Sequence, residues 1–141
     1  MYDALTVARY VINKCFEEGK PVTNLRLQKL LYFIQGMSYF VKKEALLKED
    51  FHAWQYGPVI PEVYFEYCGY VGNQLRLRYD INNIDVEDEI LINSVINSLK
   101  PYKDSFLVEL SHDKNGPWAR HSYDRSVITK NEIKKYFEES V

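Results

Sequence analysis

The polar and apolar positions of the chain are organised around one stretch, Leu25 to Lys42, LRLQKLLYFIQGMSYFVK. It is the longest proline-free run with a helical apolar period. Steps of about 100° per residue place Phe33, Met37, Leu30, Val41, Ile34, Leu27 and Leu31 on one broad arc. An adjacent stripe carries Gln28, Tyr32, Gln35, Tyr39 and Lys42. A surface helix normally sets one apolar stripe against a charged face. Here the second stripe is aromatic and amide, so a helix over about 24–42 is expected to be covered on most sides and to act as a central post.

The flanking pattern supplies the elements around it. Leu5, Ala8, Ile12, Cys15 and Phe16 recur at helical spacing over 3–18, with Gly19 as the stop. Thr23 or Asn24 is placed to cap the central helix. Phe51–Trp54 reads as a short strand, Gly57-Pro58 as a break, and Pro61 as the first turn of a helix that carries Val63, Tyr64, Tyr67 and Cys68 to Gly69. Leu75, Leu77 and Tyr79 alternate with Arg76 and Arg78, a half-exposed strand pattern that would pair with Phe51–Trp54.

Asp85, Glu87 and Asp88 load the start of a helix whose apolar face is Leu91, Ile92, Val95, Ile96 and Leu99, with Pro101 as its end. A helix over 104–112 would turn Phe106, Leu107 and Leu110 inward, and Trp118 would lie in a loop running to Val127. Thr129 with Glu132 fits a capping box and Ile128 with Ile133 a hydrophobic staple, so a last helix follows. The expected fold is therefore mainly α. It is a compact single domain over 1–141, a bundle of about six helices around the central one, with a small two-stranded β element.

Composition narrows the function. Of 141 residues, 46% are hydrophobic and 27% charged, and the net charge is −2. A nucleic-acid partner is disfavoured, because a basic footprint is missing. A helix-turn-helix reading is disfavoured similarly, which leaves a DNA-binding transcriptional regulator as the last alternative: Arg26, Gln28 and Lys29 could open a recognition helix, but the remainder is too apolar to lie in a groove. No apolar run reaches the ~18 residues that span a bilayer, and Asp3 stands where a signal peptide would be basic. The cytoplasm is the default compartment. Cys15 and Cys68 then read as small buried thiols rather than a disulfide.

Chemistry is not evident. Ser111-His112-Asp113 are neighbours on one helix, about 100° apart, and cannot face one another as a triad. His52, His112 and His121 with the two cysteines lack metal-ligand spacing, and no phosphate-binding glycine motif occurs. No catalytic residue, metal, cofactor or small-molecule substrate is expected. Recognition remains. Twelve tyrosines raise the aromatic content to 15%, and Trp54, Tyr56 and Trp118 flank proline breaks, either as anchors for a partner or as plugs at the ends of the bundle.

Three motifs carry a resemblance. Leu27-Gln28-Lys29-Leu30-Leu31-Tyr32-Phe33, the run Ala53-Trp54-Gln55-Tyr56-Gly57-Pro58-Val59-Ile60-Pro61-Glu62-Val63-Tyr64, and Leu110-Ser111-His112 with Gly116-Pro117-Trp118 resemble the Panacea domain of SocA-like antitoxins and phage-associated proteins. The resemblance implies the antitoxin half of a bacterial or phage-borne toxin–antitoxin pair, binding a cognate protein toxin directly. Related antitoxins face toxins of unrelated chemistry, including alarmone-synthetase-like and membrane-attacking ones, and one branch delivers its toxin to a ClpXP-type protease. A chain that starts in its first helix and ends in its last is expected to be the bare domain, without a fused DNA-binding module.

The resemblance names no toxin-contact residue. Gln28, Tyr32, Gln35 and Tyr39 would suit an adaptable binding surface if they reach solvent. Alternatively the stripe packs on the GPVIP segment, with Gln28 and Lys29 bonding its backbone. Specificity would then lie in the loops near Tyr70 to Arg78.

Overall fold

A computed structural model describes residues 1–139. Thr23 opens the central helix: its hydroxyl accepts the Arg26 amide at 3.1 Å, and the helix α2 runs Asn24–Lys42 until Lys43 turns left-handed at φ 63°. Around it stand α1 (Ala4–Glu17), α3 (Pro61–Tyr67, extended by a 3₁₀ turn Cys68–Tyr70), α4 (Val86–Leu99), α5 (Asp104–Ser111), α6 (Pro117–His121) and α7 (Lys130–Glu139). Helix α2 touches α1, α3, α4, α5 and α7. The expected central post in a mainly α domain is what the chain builds, with seven α-helices among the described residues.

Helix α4 lies antiparallel to α2. Arg26, at the start of α2, donates to the Leu99 carbonyl at the end of α4, while Lys42 pairs with Asp88 at the opposite ends. Val7, Val11 and Ile12 of α1, Leu27, Leu31 and Ile34 of α2, and Ile92, Val95 and Ile96 of α4 close the main core. Helix α7 enters through the capping box, in which the Glu132 amide donates to Thr129 Oγ1 and the Thr129 amide to Glu132 Oε1. Ile128 and Ile133 are both buried.

The β element differs from the expectation. Strands β1 (Phe51–Trp54), β2 (Gly57–Val59) and β3 (Val127–Ile128) form an antiparallel sheet in the order β2-β1-β3. Gly57-Pro58 opens strand β2 after the Gln55-Tyr56 turn rather than breaking the chain. Gly57 takes φ +112°, and Pro58, opposite Ala53, sits on an edge strand, where a missing N–H is tolerated. Leu75–Tyr79 joins no sheet, because its backbone is satisfied elsewhere. The Leu75 amide donates to the Val22 carbonyl, and the Tyr79 amide and carbonyl are both held by the Asn13 side chain.

Other placements are also corrected. Trp118 belongs to the short helix α6, begun by Pro117, and not to a loop. On α5 only Leu107 and Ser111 are buried, and Phe106 and Leu110 face solvent. Cys68 is exposed while Cys15 is buried. On α2, Met37 and Val41 are 36% and 60% exposed, so the C-terminal half of the apolar arc lies open. The amide stripe takes the covered side instead.

Helix α7 is seated by one ring. Phe137 meets Tyr32 edge-on at 5.4 Å and lies over Gly36, where a Cβ would overlap it. Alanine is the better helix former by about 1 kcal/mol, while overpacking costs about 1–3 kcal/mol. Gly36→Ala is therefore expected to lower stability in urea denaturation and to loosen α7 in hydrogen exchange; a more stable variant would show that the ring yields freely.

Candidate partner-binding face

The face is built from α2 upward. Gln28 Oε1 accepts the Ile60 amide at 3.0 Å, and its amide nitrogen donates to Asn24 Oδ1. Two turns further on, Gln35 Oε1 accepts the amides of Leu46 and Leu47, both at 2.9 Å, and its nitrogen donates to the Leu47 carbonyl. Neither backbone segment has a strand or helix partner for these groups at that point. Glutamine offers an acceptor and a donor on one side chain, and so stands in for the missing backbone.

Lys29 completes the attachment. It is wholly buried, and its Nζ donates to the Pro58 carbonyl at 2.7 Å. Burial pulls its pKa down to about 7. Gly57 is required where it stands, since a Cβ there would come within 2.6 Å of both Lys29 Cε and Ser111 Oγ. Ser111 donates to the Val108 carbonyl. The His112 ring stacks on Trp118 at 3.6 Å with its Nε2 buried and unpartnered, and burial, then the Lys29 charge, lowers its pKa. Trp118 Nε1 donates to the Trp54 carbonyl at 2.7 Å, which ties α6 to β1.

Leu27, Gln28, Lys29, Leu30 and Tyr32 thus lie beneath the hairpin that carries Trp54, Tyr56, Gly57 and Pro58, with Pro61 opening the next helix and His112, Pro117 and Trp118 bracing its far side. The three motifs, far apart in sequence, meet at one hairpin. An amine beside a serine hydroxyl is also found where nucleophiles are activated, but Lys29 and Ser111 are both buried under the hairpin.

The stripe expected to meet a partner is enclosed. Gln28, Tyr32, Gln35 and Tyr39 are 1%, 1%, 0% and 4% exposed, because they fill the space between α2 and irregular backbone. What the attachment presents outward is different: Trp54, Tyr64 and Phe65 form a mutual edge-to-face cluster with centroids 5.1, 5.5 and 6.0 Å apart. Phe65 is 64% exposed and Tyr56, at the hairpin tip, 60%. Phe65 was missed in the sequence because a seven-residue helix with three aromatics, Tyr64, Phe65 and Tyr67, is too short for a periodic signal to tell which ring faces out. A second arrangement also escaped it. His121 lies 2.7 Å from Ser126 Oγ through Nδ1 and 2.7 Å from Glu132 through Nε2, joining α6 to the residue before β3 and to α7.

The family described as antitoxin SocA-like, Panacea domain, matches residues 27–119. The chain belongs to this family. It is also similar to the Antitoxin SocA of Caulobacter vibrioides (strain NA1000 / CB15N), 33% identical over 128 residues, or 82% of this chain and 68% of that protein. No solved structure matches. The match runs from the first residue of the α2 motif to just past Trp118, so the SocA-like region contains the whole hairpin attachment and the aromatic corner, while α1 and α7 flank it. Among the described residues no group of three His, Cys, Asp or Glu is placed to hold a metal, and no helix is long and apolar enough to cross a membrane.

Lys29 gives the attachment a pH signature. Its folded pKa of about 7 lies below the ordinary 10.5, so between these values the unfolded chain binds more protons. Stability from this group therefore rises with pH from about 7 to about 10.5 and is flat below. Lys29→Met should flatten that rise in urea midpoints measured across the window. An unchanged slope would mean that the amine is solvated.

Proposed function

We propose that this chain is the antitoxin of a toxin–antitoxin pair, and that it neutralises a cytoplasmic protein toxin by direct contact through the aromatic corner of Trp54, Tyr64 and Phe65. The observation that carries the reading is that corner. Burying a solvent-facing phenylalanine normally stabilises a fold, yet here an elaborate buried polar attachment fixes the hairpin and leaves the rings outside it. Rigid, clustered aromatics are the residues from which interface hot spots are made, since little side-chain entropy is lost on docking. Membership of the SocA-like family supports the antitoxin role, and the name of the Caulobacter relative agrees with it.

The buried state of Gln28, Tyr32, Gln35 and Tyr39 supports a division of labour. The motif shapes the fold and the rings at its rim make the contact. Masking is the mechanism that needs no further component. Delivery to a ClpXP-type protease is the rival, and it would make rescue depend on that protease.

The test is co-expression with the product of the adjacent gene, in cells with and without the protease. Wild-type chain should restore growth in both and co-purify with the toxin. Phe65→Ser, on an exposed ring, should weaken the complex about tenfold or more, roughly 1.4 kcal/mol, with an unchanged melting temperature. Full rescue and unchanged affinity for Phe65→Ser would remove the aromatic corner from the account; rescue lost with the protease would replace masking by delivery.

A further inference from the structure

An open cleft of about 590 Å³ lies where the Gly19–Thr23 linker and the start of α2 meet the α4–α5 turn. Its volume falls among those of about 300–1,000 Å³ that receive ligands. Pro21, Pro101 and Tyr102 supply the apolar lining that reaches solvent, with Val22, Leu30 and Ile96 buried beneath it. The walls are charged, and the charges do not balance.

Four cations and two anions line the cleft. Arg26 is held rigidly: it donates to the Tyr102 and Leu99 carbonyls and pairs with Asp104 at 2.9 Å. Lys100 pairs with Glu18 at 3.4 Å. These two pairs cancel. Lys20 and Lys103 remain, both exposed. Lys20 donates only to the Lys100 carbonyl, and Lys103 has no side-chain partner among the described residues. A chain of net charge −2 thus gathers two uncompensated cations at one cleft.

The cleft and the aromatic corner lie on either side of the start of α2. Thr23 lines the cleft, and the next residue, Asn24, donates to the Tyr64 carbonyl at 3.2 Å, so the start of α2 is the wall between the two. Resting on the antitoxin reading above, we infer that the cleft receives a short acidic segment of the toxin, with its carboxylates paired to Lys20 and Lys103 and apolar side chains set on Pro101 and Tyr102. A duplex or single strand of nucleic acid would need a longer basic track than two lysines provide. An acidic peptide fits two cations over an apolar floor.

The experiment uses the full chain and the product of the adjacent gene, with affinity measured by calorimetry at two salt concentrations. Lys20→Glu with Lys103→Glu should weaken the complex at least tenfold and reduce its salt dependence, with Lys20→Gln and Lys103→Gln giving a smaller loss. Both sites are exposed, so melting temperatures should not move. A photo-cross-linking residue at position 103 should capture a toxin peptide rich in Asp or Glu. If the complex forms but reversal changes affinity less than twofold, or the cross-links map to a segment without carboxylates, the cleft is overturned and the antitoxin reading stands. If the wild-type chain forms no complex, both fall. If the double reversal abolishes binding to an oligonucleotide and leaves the toxin complex intact, the cleft belongs to nucleic acid and the inference is wrong.

Discussion

The structure depends on buried side chains doing the work of backbone. Gln28, Lys29 and Gln35 together satisfy five main-chain groups: the amides of Ile60, Leu46 and Leu47 and the carbonyls of Leu47 and Pro58. Each such group left unpaired in the interior costs about 1–3 kcal/mol. Five of them would equal the whole net stability of about 5–15 kcal/mol typical of a domain. Irregular backbone can therefore lie against α2 only because this helix carries amides and an amine where an ordinary core helix carries leucine.

That constraint explains the division between what is hidden and what is shown. The hairpin of β1 and β2 is too short to be stable alone. Bolted to α2 by Lys29 and Gln28, and braced through the bond from Trp118 to the Trp54 carbonyl, it becomes a fixed platform. Gly57 admits Lys29 by having no side chain. The platform's outer edge is aromatic, and the start of α2 separates that edge from a cationic cleft. A recognition surface of the kind proposed would be rigid, so binding would lose little conformational entropy.

The sequence made much of the helical scaffold legible. The Leu25–Lys42 periodicity, the Thr23 cap, the Pro61 start and the Thr129–Glu132 box each rest on local chemistry, and each has the expected place in the fold. Long-range satisfaction was not legible. Leu75–Tyr79 has the alternation of a strand, but Asn13 and Val22 claim its backbone groups, and neither is a sequence neighbour. Gln28 and Tyr39 look like a contact surface because polar and aromatic residues on a helix usually face out. The packing of Gln28 and Lys29 on the GPVIP backbone was the alternative open in the sequence, and it is the one the fold takes; the burial of Gln35 follows from where Leu46-Leu47 returns, which no local pattern encodes. Phe65 and the Lys20–Lys103 pair gave no sequence signal either, since their meaning lies in what surrounds them in space.

Native-state hydrogen exchange at the Ile60, Leu46 and Leu47 amides reads the central claim most directly. These amides lie outside any ladder, and only the oxygens of Gln28 and Gln35 hold them. Slow exchange, with Ile60 alone losing protection in Gln28→Leu while the domain stays folded, is the result this account predicts. Exchange as fast as that of an exposed loop in the unaltered chain would contradict it.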